Sequence, residues 1–317
     1  GSAPKAVQGG VSAAPVPWAR PKVSVMEKEA ATADDSLYQE LHTKISSRAF
    51  NSRIAQALSS IAQTVQDKCF LNVKEVVKGG SVGKATAISG GADAELVFFC
   101  EGLPASKQEK WMPPLLRGVC SVLQMQLSEA EATGIEAMED CVRMQVEGLM
   151  SVDLRFAPAF DSYADAVTAL GRSEPAARKY FQPMFVKEKV QFVGKQPGSV
   201  KVTIRLLKWW CNQQEWSCDL TRPSNEILEA IAIYSAQQSK PKTQAQAIAN
   251  CMSLMSRFDS LRIMWTAHYQ RDDVWAPLFK QRPLLMDPVN PFCNLADPKK
   301  FDARDLMGIA ATTRFFW

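Results

Sequence analysis

Apolar residues recur at steps of three to five from Asp35 to Val65, where Leu37, Leu41, Ile45, Phe50, Ile54, Leu58, Ile61 and Val65 form one stripe. That period predicts a long amphipathic helix with Lys44 and Arg48 on its polar side. Residues 94–100 carry instead the continuous run Leu96-Val97-Phe98-Phe99-Cys100, which predicts a buried strand. A helix is expected from Pro114 to about Leu127, followed by an alternating segment at 141–150. In Met150-Ser151-Val152-Asp153-Leu154-Arg155-Phe156 the apolar Val152, Leu154 and Phe156 alternate with Ser151, Asp153 and Arg155, predicting a strand with one polar face. Pro158 ends that pairing and Ala159-Phe160-Asp161 opens a helix. Beyond about residue 172 the strand signal stops, and helical spacing covers Ser199 to Trp210, Pro223 to Gln237, Thr243 to Phe258 and Asp273 to Phe279. Residues 1–33, rich in Ala, Pro, Gly and Val, read as a flexible tail. The layout is α+β: a mixed-sheet lobe over 34–171, a helical lobe over 172–317, and a ligand expected in the cleft between them.

The most informative segment is Val77-Lys78-Gly79-Gly80-Ser81-Val82-Gly83-Lys84-Ala85-Thr86, followed by Asp93-Ala94-Glu95 at the head of the buried run. Glycines and a serine let backbone N–H groups approach a polyphosphate, and their amides supply an anion nest. Asp93 and Glu95, two apart on a strand, point to one face and can hold hard divalent cations for phosphoryl chemistry. A Walker A loop does not fit, because Lys78 stands where its first Gly belongs and Ala85 follows Lys84 in place of the hydroxyl residue. The segment reads as a nucleotidyltransferase active site. Two-metal transfer needs a further acid beside the pair, and Asp153 in the later strand is the candidate. Arg155 lies on the same face, so a structural Asp153–Arg155 ion pair is the competing reading.

Composition narrows the alternatives. The 317 residues are 46% hydrophobic, enough for two lobes. No apolar run approaches the roughly 20 residues of a membrane span, and the N-terminus lacks a signal peptide's order, so a cytoplasmic protein without a membrane partner is expected. Eight cysteines without a C-x-x-C pair, beside only His42 and His268, argue against a zinc site or a histidine-based triad. A net charge of +4 leaves any nucleic-acid argument to local clustering.

These residues resemble the 2′-5′-oligoadenylate synthetases, within the wider cyclic GMP-AMP synthase-like group. The resemblance runs through Val77 to Thr86, Asp93 to Val97, Pro158-Ala-Phe-Asp161, Ile204-Arg-Leu-Leu-Lys-Trp209, Ile227 to Tyr234, Met264 to Tyr269 and Arg282-Pro-Leu-Leu-Met-Asp-Pro288. It implies a polymerase-β-like nucleotidyltransferase lobe with Mg2+, or Mn2+, on Asp93, Glu95 and Asp153 as catalytic carboxylates. It implies nucleotide binding by Gly80, Ser81 and Lys84, with Arg205 and Lys208 facing the cleft to bind the triphosphate of ATP. The implied reaction joins ATP units by 2′-5′ bonds, releases pyrophosphate and is activated by double-stranded RNA. Lys44, Arg48, Lys78 and Lys195, with Lys187 and Lys189, are the candidates for the RNA surface. Three departures stand out. Glu95 replaces the usual Asp. An ungapped match puts Arg155 at the third carboxylate, with Asp153 restored only by a two-residue insertion. Glu226 and Asn225 stand at the acceptor-base tyrosine and its glutamine neighbour. A catalytically silent RNA-binding or heterodimerising relative, favoured by Arg155, and a cyclic-dinucleotide synthase remain open alternatives.

Overall fold

The computed structural model describes residues 35–46, 48–146, 148 and 150–314 together with the backbone of Val16–Pro17 and of residues 48–51. Apart from Val16–Pro17, the expected N-terminal tail lies outside the described residues, as does the side chain of Arg48. Five strands form the main sheet: β1 (Val73–Gly79), β2 (Asp93–Cys100), β3 (Ala132–Ala137), β4 (Val142–Val146) and β5 (Met150–Pro158). Their spatial order is β1-β2-β5-β4-β3, with β2 and β5 parallel at the centre and every other pairing antiparallel. These two strands thus lie inside the sheet, each hydrogen-bonded to a neighbour on both sides.

The even-numbered face of β2 and β5 carries Leu96, Phe98, Leu154 and Phe156, all fully buried. It packs against Ile54, Leu58, Ile61 and Val65 of helix Arg48–Lys68 and Leu116, Val119 and Leu123 of helix Gln108–Gln126. Phe98 and Phe156 stack with ring centroids 5.2 Å apart. The odd-numbered face is divided. Val97, Phe99 and Ala157 are covered by Phe181, Phe185 and helix Tyr163–Arg172, whereas Asp93, Glu95, Asp153 and Arg155 line a cleft. Helix Tyr163–Arg172 begins at Ser162, whose side chain accepts the Asp165 N–H, two residues after the expected start.

The second core gathers helices Gly198–Asn212, Asn225–Ser239, Gln244–Met255 and Arg304–Thr312. The long helix expected from Asp35 to Val65 is two helices, Asp35–Ile45 and Arg48–Lys68. The first puts Tyr38 and Ile45 into the helical-lobe core, and its Asp35 carboxylate accepts the N–H groups of Gln244 and Ala245 at 2.9 and 3.0 Å. Periodicity records that a face is apolar and is blind to which core that face enters. Strands also persist past residue 172: Arg262–Met264 pairs with Leu284–Leu285 and with Val16–Pro17. Elements of two or three residues are too short for an alternating pattern to register. The helix expected at Asp273 to Phe279 is instead the short 3-10 segments Arg271–Asp273 and Ala276–Lys280, around Pro277. Among the described residues no helix is long and apolar enough to cross a membrane.

Candidate active site

The Gly-rich segment leaves β1 through a single helical turn, Gly80–Gly83, that folds back onto the start of β2. Gly80 has φ +64°, and a Cβ there would lie 2.8 Å from the Asp93 carbonyl oxygen and 2.9 Å from Asp93 Oδ2. A Cβ at Gly79 would meet Glu95 Oε2 at 2.6 Å. The glycines therefore let the turn lie directly on the two acids. The Ser81 N–H donates to Asp93 Oδ2 at 3.1 Å, and its hydroxyl donates to the Asp93 carbonyl at 2.9 Å while accepting the Asp93 N–H at 3.1 Å. From the helical lobe, Asn225 Nδ2 donates to Asp93 Oδ1 at 2.8 Å. Asn225 opens its helix just after the Ser224 cap, so the first residue of that helix reaches Asp93.

Asp93, Glu95 and Asp153 share one wall of the cleft, a cavity of about 530 Å3 that Lys189, Arg222, Glu226 and Lys300 also line. The parallel ladder sets Glu95 beside Asp153 and Val97 beside Arg155. The three acids do not converge on a common point as the sequence led us to expect. Arg143 of β4, opposite Asp153 in the ladder, holds both of its oxygens, Nε at 2.7 Å and Nη2 at 2.9 Å. Arg155 Nε lies 2.8 Å from Glu95 Oε1, its Nη2 lies 3.2 Å from Asp153 Oδ2, and Nη1 pairs with Asp140. Burial pulls the Asp153 carboxyl upward, but hydrogen bonds from Arg143 and the charges of Arg155 and Arg143 outweigh it and hold the group below the usual range. Glu95 goes the other way: burial pushes it up, and Arg155 and Lys189 offset only part of that. This donor set does not fit a pair of divalent cations, because a guanidinium has no lone pair to offer and lies among the very oxygens that would ligate them.

A second charged group, nearly closed to solvent, meets the cleft through Lys84 and Glu229 and extends behind it. Glu229 accepts from Lys84 Nζ at 2.8 Å, Lys208 Nζ at 2.8 Å and the Thr86 hydroxyl at 3.2 Å, and Lys208 also donates to Thr86 at 2.8 Å. Lys208 is 2% exposed and does not line the cleft, so its expected place at a triphosphate is corrected to a place inside the lobe junction. Burial alone would drive Lys84 toward the neutral amine, but Glu229 and Glu226 outweigh it and keep the ammonium charged above the ordinary lysine range. Arg205 is likewise displaced from the cleft: Nη2 donates to the Ala85 carbonyl at 2.7 Å and Nη1 lies 3.2 Å from His42 Nε2. It fastens the Gly-rich loop to helix Asp35–Ile45.

Lys189, a candidate for the RNA surface, faces the cleft instead, 2.9 Å from Glu226 and 3.0 Å from Asp287. The Lys189 charge, opposed by burial and aided by Lys84, holds the Glu226 carboxyl down to about 2. Lys44 is exposed and paired with Glu40 at 2.7 Å, Lys78 donates to Ser59 Oγ at 3.1 Å, Lys187 pairs with Glu75, and Lys195 is an exposed residue at the end of helix Val186–Gly194. Sequence reasoning missed Asp140, Arg143 and Glu229. Only Glu229 left a signal, a lone acid within Ile227-Leu228-Glu229-Ala230-Ile231 that requires a buried partner.

Residues 157–313 match the family described as 2′-5′-oligoadenylate synthetase 1, domain 2, C-terminus. Mouse 2′-5′-oligoadenylate synthase 3 is 25% identical over 296 residues, which cover 80% of this chain and 25% of that protein. Mouse 2′-5′-oligoadenylate synthase 1A is 24% identical over 288 residues, 78% of either chain. The chain thus spans a quarter of the first relative and most of the second. Among solved structures, CdnC of E. coli MS115-1 with ATP superposes with a TM-score of 0.56 and 14% identity, over 90% of this chain and 88% of that one. That likeness is one of fold, the polymerase-β-like nucleotidyltransferase sheet with its helical lobe. With the Gly-Gly-Ser turn locked onto the Asp93 and Glu95 strand, these matches make the chain similar to the 2′-5′-oligoadenylate synthetases along most of its length.

Proposed function

We propose that this protein is a template-independent nucleotidyltransferase that binds ATP in the interlobe cleft and joins adenylate units by 2′-5′ bonds. The 2′-hydroxyl oxygen of one nucleotide forms a bond to the α-phosphorus of a second, the bond to the β-phosphate breaks, and pyrophosphate and a proton are released. The observation that carries this reading is the Ser81 turn, bonded to Asp93 through three hydrogen bonds and met by Asn225 from the other lobe. Such a clamp holds a phosphate-facing loop and the acid strand in fixed relation, so that catalysis rests on positioning. With Lys208 and Arg205 engaged elsewhere, Lys189, Arg222 and Lys300 are the cleft cations assigned to the triphosphate. Mg2+ or Mn2+ is the cofactor that nucleotidyl transfer uses, supplying charge neutralisation at the leaving pyrophosphate.

Duplex RNA is proposed as activator, docking through phosphate contacts on Lys44, Arg48, Lys78 and Lys195. A second reading, a relative that binds nucleotide or RNA without turnover, is favoured by one observation: Arg155 occupies the acid cluster. Incubation with ATP and Mg2+, with and without duplex RNA, separates them. Oligomers resistant to a 3′-5′-specific nuclease establish the first reading. Nucleotide binding without pyrophosphate release under either condition establishes the second. RNA stimulation that survives charge reversal at Lys44, Arg48, Lys78 and Lys195 together would sink the assigned RNA surface.

A further inference from the structure

Arg155 spends its donors on carboxylates. Nε, Nη1 and Nη2 each meet a different acid, Glu95, Asp140 and Asp153, and the side chain is 17% exposed. We infer that the Arg155 guanidinium stands in place of a divalent cation, so that this site does not hold the pair of cations that two-metal nucleotidyl transfer uses. The inference rests on the reading of the cleft as the nucleotide site and concerns what that site accepts.

Three observations carry it. A guanidinium remains charged at any pH at which the protein is folded, so it repels an incoming cation and does not yield by losing a proton. Two bound cations about 3.5–4 Å apart require carboxylate oxygens free to face both. Here Arg143 and Arg155 together take both oxygens of Asp153, and Arg155 takes Glu95 Oε1. The Asp93 oxygens are engaged as well, Oδ2 by the Ser81 N–H and Oδ1 by Asn225 Nδ2.

Counting bound Mn2+ tests this. Titrations of the full chain are followed by the electron paramagnetic resonance signal of free Mn2+, with and without α,β-methylene-ATP, and against a nucleotide-only control. The wild-type chain is expected to bind fewer than two Mn2+ beyond that control, and Arg155→Asp to bind one more than wild type. Arg155→Gln, which removes the charge and keeps hydrogen-bonding capacity, guards against a variant that fails to fold and is expected to show the same gain. Two Mn2+ on the wild-type chain, or folded variants that bind no more than it does, would overturn the inference. Binding of the nucleotide analogue is followed separately by equilibrium dialysis. Its absence in every variant would defeat the nucleotide-site reading while the Mn2+ count without nucleotide still reports on Arg155.

Discussion

Two groups of charged side chains lie about the cleft, and they differ in how they are enclosed. In the lobe junction, Glu229 answers Lys84 and Lys208, all three nearly sealed from water. On the sheet wall, Arg143 and Arg155 answer Asp153, Glu95 and Asp140 along an open cleft, where Arg143 is 47% exposed. The chemistry of the contacts is similar, yet only the first group is closed from solvent. A sealed charge that loses its partner has no water to replace it, so the junction is a structural fastening. A charge at an open cleft can exchange its partner for solvent or ligand, so the wall is where binding chemistry can occur.

The comparison is most directly broken at its sealed end. Glu229→Ala leaves two buried ammonium groups without a counter-charge and is expected to cost about 3–5 kcal/mol, read as the shift of a urea unfolding midpoint. Arg143→Ala on the open wall should move the same midpoint by at most about 1 kcal/mol, and equal losses at both positions would erase the distinction. Lys208→Ala, which leaves the Lys84–Glu229 pair intact, should fall below Glu229→Ala, at about 2–3 kcal/mol. Unchanged stability with weakened nucleotide affinity would return Lys208 to the triphosphate.

Gly80→Ala probes the turn between the two groups. Its positive φ and the nearby Asp93 oxygens should cost about 1–3 kcal/mol and shift Ser81 off Asp93, measured by thermal melting together with nucleotide affinity. The smallest expected effect is pH-dependent. Glu226, lowered from 4.5 to about 2 by Lys189, contributes stability that is present in full above pH 4.5 and is lost as pH falls toward 2. Unfolding midpoints at pH 5.5 and pH 3 should differ less in Glu226→Gln than in the wild-type chain. The half-exposed carboxylate keeps that difference small.

Legibility followed the range of each interaction. The Gly-Gly-Ser turn and the Asp93 and Glu95 pair were readable because both depend on neighbours along the chain: glycine conformation at Gly80 and period two in β2. The two central strands were readable for the same reason. Helix Asp35–Ile45 was read as one element with the helix after it, since both carry the same stripe while entering different cores. Lys208 and Lys189 were assigned to the wrong surroundings because a cation's partner can lie far away in the chain: Lys208 and Thr86 are 122 positions apart, and Lys189 and Glu226 are 37.

The sequence by itself determined which segments are buried, where a backbone must come close to an anion, and that acids stand at the mouth of a buried strand. Local sterics and hydrophobic period act within a few residues, and they leave their mark in residue order. Period two put Arg155 on the face of Asp153, but only the tertiary structure decided that it engages Glu95 and Asp140 as well and that Lys208 lies behind them. Strand register, helix docking and the reach of long side chains choose partners from distant segments, and no spacing along the chain records that choice.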